Sequence, residues 1–273
     1  VTFASLEKRA AAMSREIVQL RPAGPIPTAV EMARSIGIEP DPWQERVLLS
    51  EKRQLLMLAS RQSGKSTTSA LLALHQTVYI PGSLALILSP GERQSKLLLK
   101  SVRQLYRRLK DAPLPIVDGK LSLELANGSE IHALPGDEET IRGFSDVSLI
   151  IEDEAAVVPD DLYESVRPML AVSGGRIVLL STPRGKRGHF FHEYEEGGDA
   201  WHRERVTAAD CPRIDPAFLA EERKRAGTYW YQQEYLVEFV DTDDQFFPTE
   251  LIERARSSDV VPLELPAFAR WAA

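Results

Sequence analysis

Gly64, Lys65 and Ser66 follow a short apolar run and open a helical pattern, and together these residue types suit one kind of chemistry. A nucleoside triphosphate needs backbone N–H groups aimed inward, an ammonium on its β and γ oxygens, and a hydroxyl for the accompanying Mg2+. A G-x-x-x-x-G-K-[ST] loop at a helix N-terminus supplies all three. The stretch Ser60-Arg61-Gln62-Ser63-Gly64-Lys65-Ser66 ends in that triplet, with Thr67 next. The loop's usual first glycine falls on Ala59, a small residue close to what a tight turn tolerates. Three residues alone also fit a surface loop, so a second element is required.

That element is Val147-Ser-Leu-Ile-Ile-Glu-Asp-Glu154, an apolar run closed by acids. In phosphate-loop folds the strand beside the loop strand ends in an aspartate that helps hold Mg2+, and a following glutamate orients and deprotonates the attacking water. Asp153 and Glu154 stand where those roles require. A third run, Arg176-Ile-Val-Leu-Leu-Ser-Thr-Pro183, ends in Ser181 and Thr182, hydroxyls that would face the crevice at the carboxyl edge of a parallel sheet. A plain strand end with a Thr-Pro turn fits that segment equally well.

The elements that must position these groups can be read from periodicity. Gln54 to Ala59 has strand length, and Ala70, Leu71, Leu74 and Val78 recur at helical spacing between Ser66 and Tyr79. Residues 84–89, LALILS, make a further strand. The helix after it, over residues 93–110, carries seven basic groups and no acid, with Leu97, Leu98, Val102, Leu105, Tyr106 and Leu109 as its apolar side. Residues 121–134 alternate around Asn127-Gly128 and predict a β-hairpin. A strand near Trp201 to Val206 and a helix from Pro216 to Glu234, capped by Asp215, follow. Strands separated by helices predict an α/β fold with a doubly wound, mainly parallel sheet. Residues 1–38 read as a helical N-terminal extension of a domain running to 240, and the acidic, proline-punctuated residues 241–273 as a linker.

Bulk properties narrow the class. A chain of 273 residues that is 43% hydrophobic can bury a sizeable core. No apolar stretch reaches the roughly 18 residues that span a bilayer, and the charged N-terminus lacks a signal-peptide core, so a cytosolic chain without membrane contact is expected. The single cysteine, Cys211, excludes an internal disulfide framework and a cysteine zinc cluster. A net charge of −7 argues against coating nucleic acid. The local basic segments 93–110 and 184–187 still offer phosphate-backbone contacts, or a solvated helix face.

With SRQSGKS, IIEDEA and LLSTP in that order, an upstream DPWQ and an intervening IRGFSD, the sequence resembles the ATPase domain of the large terminase subunit of tailed bacteriophages over roughly residues 40–240. In that family the phosphate loop often begins with a small non-glycine residue and carries Arg-Gln, as Arg61-Gln62 do here. The resemblance implies a P-loop NTPase of the RecA/ASCE type. Its ATP hydrolysis, with Mg2+, would translocate double-stranded DNA into a procapsid in the host cytoplasm. It also implies a ring, a pentamer on the portal protein, and a small terminase subunit as partner.

By the same resemblance Lys65 binds the β/γ-phosphates, Ser66 and Asp153 hold Mg2+, Glu154 positions the water, and Ser181 and Thr182 form a coupling motif. Gln44, beside Trp43, reads adenine; a surface glutamine at a helix start is the alternative. Arg142 reaches into the next subunit and Arg61 acts in cis, unless either is a loop arginine paired with an acid such as Glu138 or Glu139. The family's nuclease domain would follow residue 240, and Asp241, Asp243 and Asp244 have no strand to array them, so no nuclease activity is expected. One RecA-like half of a helicase, or another DNA-dependent ATPase, remains the alternative. A GTP switch lacks its N-K-x-D reader, since Asn127 is the only asparagine. A nucleotide kinase would need arginines in a lid, a part the basic helix could play.

Overall fold

Apolar runs such as Leu55–Ala59 and Leu149–Ile151 have no polar face to leave in water, so they belong in the middle of a sheet covered on both sides. A computed structural model of the chain, describing residues 24–135, 141, 143–241, 251 and 255, places them there. Two compact units are distinguished, Val1–Val240 and Asp241–Ala273, and every element below belongs to the first.

Two short helices lead in, α1 (Ala29–Ser35) and α2 (Pro42–Leu48). Then come β1 (Gln54–Ala59), α3 (Lys65–Tyr79), β2 (Leu84–Ser89) and α4 (Glu92–Tyr106). A meander of β3 (Pro115–Asp118), β4 (Ser122–Leu125) and β5 (Glu130–Pro135) precedes β6 (Leu149–Asp153). The remainder runs α5 (Asp160–Val166), α6 (Leu170–Ser173), β7 (Arg176–Ser181), α7 (Gly188–Glu195), β8 (Trp201–Val206), α8 (Pro216–Arg225) and α9 (Thr228–Glu234). The eight strands form one sheet in the order β3-β4-β5-β2-β6-β7-β1-β8. Pairing is parallel from β5 through β8, and antiparallel only where β3 and β4 extend the β5 edge.

Strand alternation sorts side chains into two cores. Leu55, Met57, Ile87, Ile151 and Val178 face α1 to α4, whereas Leu56, Leu58, Leu86, Ile150 and Leu179 face α5 and α7. Each fully buried leucine contributes roughly 2–3 kcal/mol by leaving water, so the two-sided layer, not local helix propensity, fixes the strands.

Four expectations are corrected. The aspartate strand β6 is not beside the loop strand, because β7 pairs with both and lies between them. The 216–234 helix is two helices, broken at Ala226-Gly227, although Asp215 does accept a hydrogen bond from the Ala217 N–H. On α4 the inward residues are Leu98, Leu99, Val102 and Leu105, while Leu97 is exposed. Within the described part of 1–38, helix covers only Ala29–Ser35, and residues 1–23 lie outside it. The 121–134 hairpin is present as β4 and β5.

Candidate nucleotide site

Ala59 is still strand. It is buried and registered against Val206, and the next residue, Ser60, donates its N–H to the Val206 carbonyl at 2.9 Å. Its φ is not positive, so a glycine is not needed there. The reversal happens later, at Gln62 with φ 62° and Gly64 with φ 103°. Successive residues of opposite backbone hand turn their N–H groups to one side, the concavity that cradles an anion. A Cβ on Gly64 would meet the ends of Gln44, Nε2 at 2.9 Å, and Arg213, Nη2 at 3.3 Å, which would have to shift, but it is the φ of 103° that requires glycine here.

Gly64 caps the fifteen-residue α3, whose first N–H groups, at Lys65, Ser66 and Thr67, have no carbonyl within the helix. The positive end of this helix therefore faces the loop. Ser63 is fully buried and its hydroxyl has no partner among the described residues. An anion in the cradle would satisfy such orphaned donors.

Across from the loop stands the acidic end of β6. The Lys65 ammonium lies 3.8 Å from Glu154 Oε1, and Ser181 Oγ lies 3.5 Å from Glu154 Oε2, so the ends of the loop, β6 and β7 converge. Glu154 holds a left-handed backbone, φ 57° and ψ 41°, which is costly for a side chain with a Cβ and turns it off the strand toward Lys65. Asp153 is buried, and burial first, then the neighbouring Glu154 charge, pushes its carboxyl up to about 7 against the pull of Lys65. A cation beside that carboxyl would relieve the cost of ionising it, and a carboxylate oxygen or a hydroxyl such as that of Ser66 is the hard donor type that Mg2+ takes. Thr182 is also buried at this edge.

Two other expected residues, Gln44 and Arg61, are engaged by partners within the chain. Gln44 is buried. Its carbonyl accepts from the Asp41 N–H at 2.8 Å and its amide donates to Thr68 Oγ1 at 3.0 Å, tying α2 to α3. Both ends of the amide are thus engaged within the protein. Trp43 is buried in the core beneath, with its indole N–H unpartnered among the described residues. Arg61 is paired with the buried Glu234 of α9, its guanidinium 6.0 Å from the Trp230 ring centre. Arg142, Glu138, Glu139, Asp243 and Asp244 lie outside the described residues.

The sequence reading missed several contributors. Arg213 grips both oxygens of Asp41, at 2.8 and 2.7 Å, and also donates to the Ser63 carbonyl at 2.8 Å, bracing the loop from outside. Only the D-P-W-Q pattern hinted at Asp41; nothing near Arg213 in the chain signals the contact, 150 residues from the loop. Glu152, His189 and Asp160 form a second polar cluster behind β6.

Comparison with known proteins fits this arrangement. The large terminase subunit of Thermus phage G20c is 27% identical over 180 residues, covering 58% of this chain and 36% of the relative. The chain thus spans about a third of that relative's length. A mutant form of the large terminase ATPase domain of Thermus phage P74-26 superimposes with a TM-score of 0.69 at 22% identity, over 77% of this chain and 98% of that one. The large terminase of a thermophilic bacteriophage, in complex with ATP-gamma-S, gives 0.62 at 15% identity, over 73% and 53%. At those identities the two structures establish a common fold. A family model for the N-terminal part of T4-type terminase large subunits matches residues 56–254, and the chain belongs to that family.

Proposed function

We propose that this domain hydrolyses ATP with Mg2+ to drive double-stranded DNA into a procapsid, as the motor part of a terminase large subunit. The observation that carries the reading is the convergence of Lys65 and Glu154, 3.8 Å apart, at the mouth of a loop whose helix end and buried hydroxyl suit an anion. The structurally similar large terminase of a thermophilic phage, described in complex with ATP-gamma-S, adds weight.

Each residue then has a task. Lys65 leaves its pairing with Glu154 for the β/γ oxygens of ATP, which frees the Glu154 carboxylate to orient a water and accept its proton. Ser66 and Asp153 would hold Mg2+, which supplies charge neutralisation to the same phosphate oxygens. The N–H groups at the start of α3 bind phosphate, and Ser181 and Thr182 lie where loss of the γ-phosphate would be felt. Gln44, beside Trp43, reads the adenine on release from the Asp41 N–H and Thr68 Oγ1, and Arg61 awaits release from Glu234 to act in cis. Arg142 acts on the neighbouring subunit. That role presupposes a ring, taken here as a pentamer on the portal, working with a small subunit in the host cytoplasm.

Steady-state hydrolysis measured across a wide range of protein concentration, for the wild-type chain, Glu154→Gln and Arg142→Ala, tests this. Turnover per molecule should climb with concentration and fail in both variants. Turnover that is flat per molecule and indifferent to Arg142 would remove the ring and the trans arginine, and full activity in Glu154→Gln would remove the assigned chemistry.

A further inference from the structure

Alternation along β6 sends Asp153 toward α3 and Glu152 to the opposite face, against α5 and α7. Glu152 is fully buried there. Its Oε1 accepts from His189 Nε2 at 2.7 Å, while Oε2 has no partner among the described residues. His189 is itself buried in the first turn of α7, and its other ring nitrogen donates to Asp160 Oδ1 at 2.8 Å. The same Asp160 oxygen accepts the His189 backbone N–H at 2.7 Å. Tyr163 stacks on the imidazole, centroids 4.3 Å apart and planes 11° apart, so the ring cannot swing. Burial lowers the His189 value, but the hydrogen bonds and charges of Glu152 and then Asp160 outweigh it and raise it, while burial raises the Glu152 carboxyl in turn.

A chain of hydrogen-bonded titratable groups that reaches a buried carboxyl is a poor device for stability, because desolvation offsets most of the attraction, whereas it fixes geometry well. Its placement says what geometry. The segment from Ser181 to His189 is held at one end by β7, where Ser181 registers against Leu58, and at the other by this clamp. The clamp's inner end is the residue directly before Asp153 and Glu154.

We propose that His189 is a positioning residue that couples the 182–188 loop to the acid pair Asp153–Glu154 through Glu152. The inference rests on the nucleotide site described above. A change at Ser181 and Thr182 that displaces the loop then pulls on the end of β6, and a change at the acids moves the loop in return. Coupling of this sort needs a contiguous packed path, and here it is two side chains long, His189 and Glu152, with Asp160 holding the imidazole from its other nitrogen.

Hydrogen exchange with and without Mg2+ and ATP-gamma-S reads the coupling directly. In the wild-type chain the nucleotide should protect 60–66 and also alter exchange across 182–188. In His189→Gln the affinity should stay within about threefold and 60–66 should remain protected, while the 182–188 response shrinks by roughly tenfold. Glu152→Gln should behave alike, and the double variant should be no worse than either single one, as members of one chain require. Asp160→Asn, at the exposed end of the clamp, tests the same link without disturbing the core and should give a partial loss. Turnover should fall in kcat with KM for ATP unchanged, whereas a merely structural lesion would lower affinity and midpoint temperature together. An unchanged 182–188 response in His189→Gln, or none in the wild type while 60–66 is protected, overturns this coupling alone. No protection of 60–66 in the wild type overturns the nucleotide reading and the coupling with it.

Discussion

Asparagine in place of Asp153 should make the nucleotide-free chain more stable and catalytically dead. In the folded state this carboxyl is pushed up to about 7 from an ordinary 3.8, by burial and then by Glu154. Below 3.8 both folded and unfolded chains carry the proton, and the group costs nothing. As pH rises toward 7 the unfolded chain ionises while the folded one does not, so stability falls through that interval and levels off above it. The interval spans about three pH units at about 1.4 kcal/mol each, which gives a ceiling of about 4 kcal/mol at about pH 8. Asparagine keeps the shape and can still accept the Glu154 N–H, which Asp153 Oδ1 receives at 3.1 Å, but has nothing to ionise. Urea or thermal unfolding of both proteins from about pH 4 to 8, without nucleotide or divalent metal, measures the difference. The two curves should nearly meet at the acid end and separate progressively, with an upward displacement of the midpoint on the order of 10 °C at the alkaline end. Parallel curves, or a less stable Asp153→Asn above neutrality, would refute the reasoning, since the carboxylate would then be stabilised in the folded chain without a metal.

Glu154→Gln should lose turnover by roughly 10² to 10⁴-fold, the range expected for a general base, with ATP affinity unchanged in a fluorescent-nucleotide titration. Gly64→Ala should destabilise by about 2 kcal/mol or more, because φ 103° is strained for alanine and its methyl meets Gln44 Nε2 at 2.9 Å, and calorimetric titration should find ATP binding lost. Arg213→Ala should weaken ATP binding about tenfold through a loosened Ser63 carbonyl. It should cost only about 1 kcal/mol of stability, since the guanidinium is half exposed and water screens its pair with Asp41. Arg213→Lys should recover little of that affinity, a point charge being unable to hold both Asp41 oxygens and the loop at once.

The chain's own order determined a good deal. The apolar runs at 54–59, 84–89, 149–153 and 176–181 are strands because continuous hydrophobicity of that length has only one covered place to go. Gly64-Lys65-Ser66 marks a strand-to-helix junction because backbone hand, ammonium and hydroxyl are local requirements met by adjacent residues. The 121–134 hairpin is local for the same reason.

What the sequence could not decide is everything set by neighbours distant along the chain. Whether β6 or β7 lies next to β1 depends on the crossover, and the two runs are equally apolar. Leu97 and Leu99 both fit a helical stripe, and the sheet's position chose between them. Helical periodicity runs from Pro216 to Glu234, yet the break at Ala226-Gly227 brings Glu234 up to Arg61, turning a loop arginine toward an acid 173 residues away. Gln44, Arg213 and the Glu152–His189–Asp160 chain acquire their partners only when α2, the segment after β8 and α7 fold back onto the sheet, because hydrogen bonding selects by distance in space and carries no mark in the local sequence.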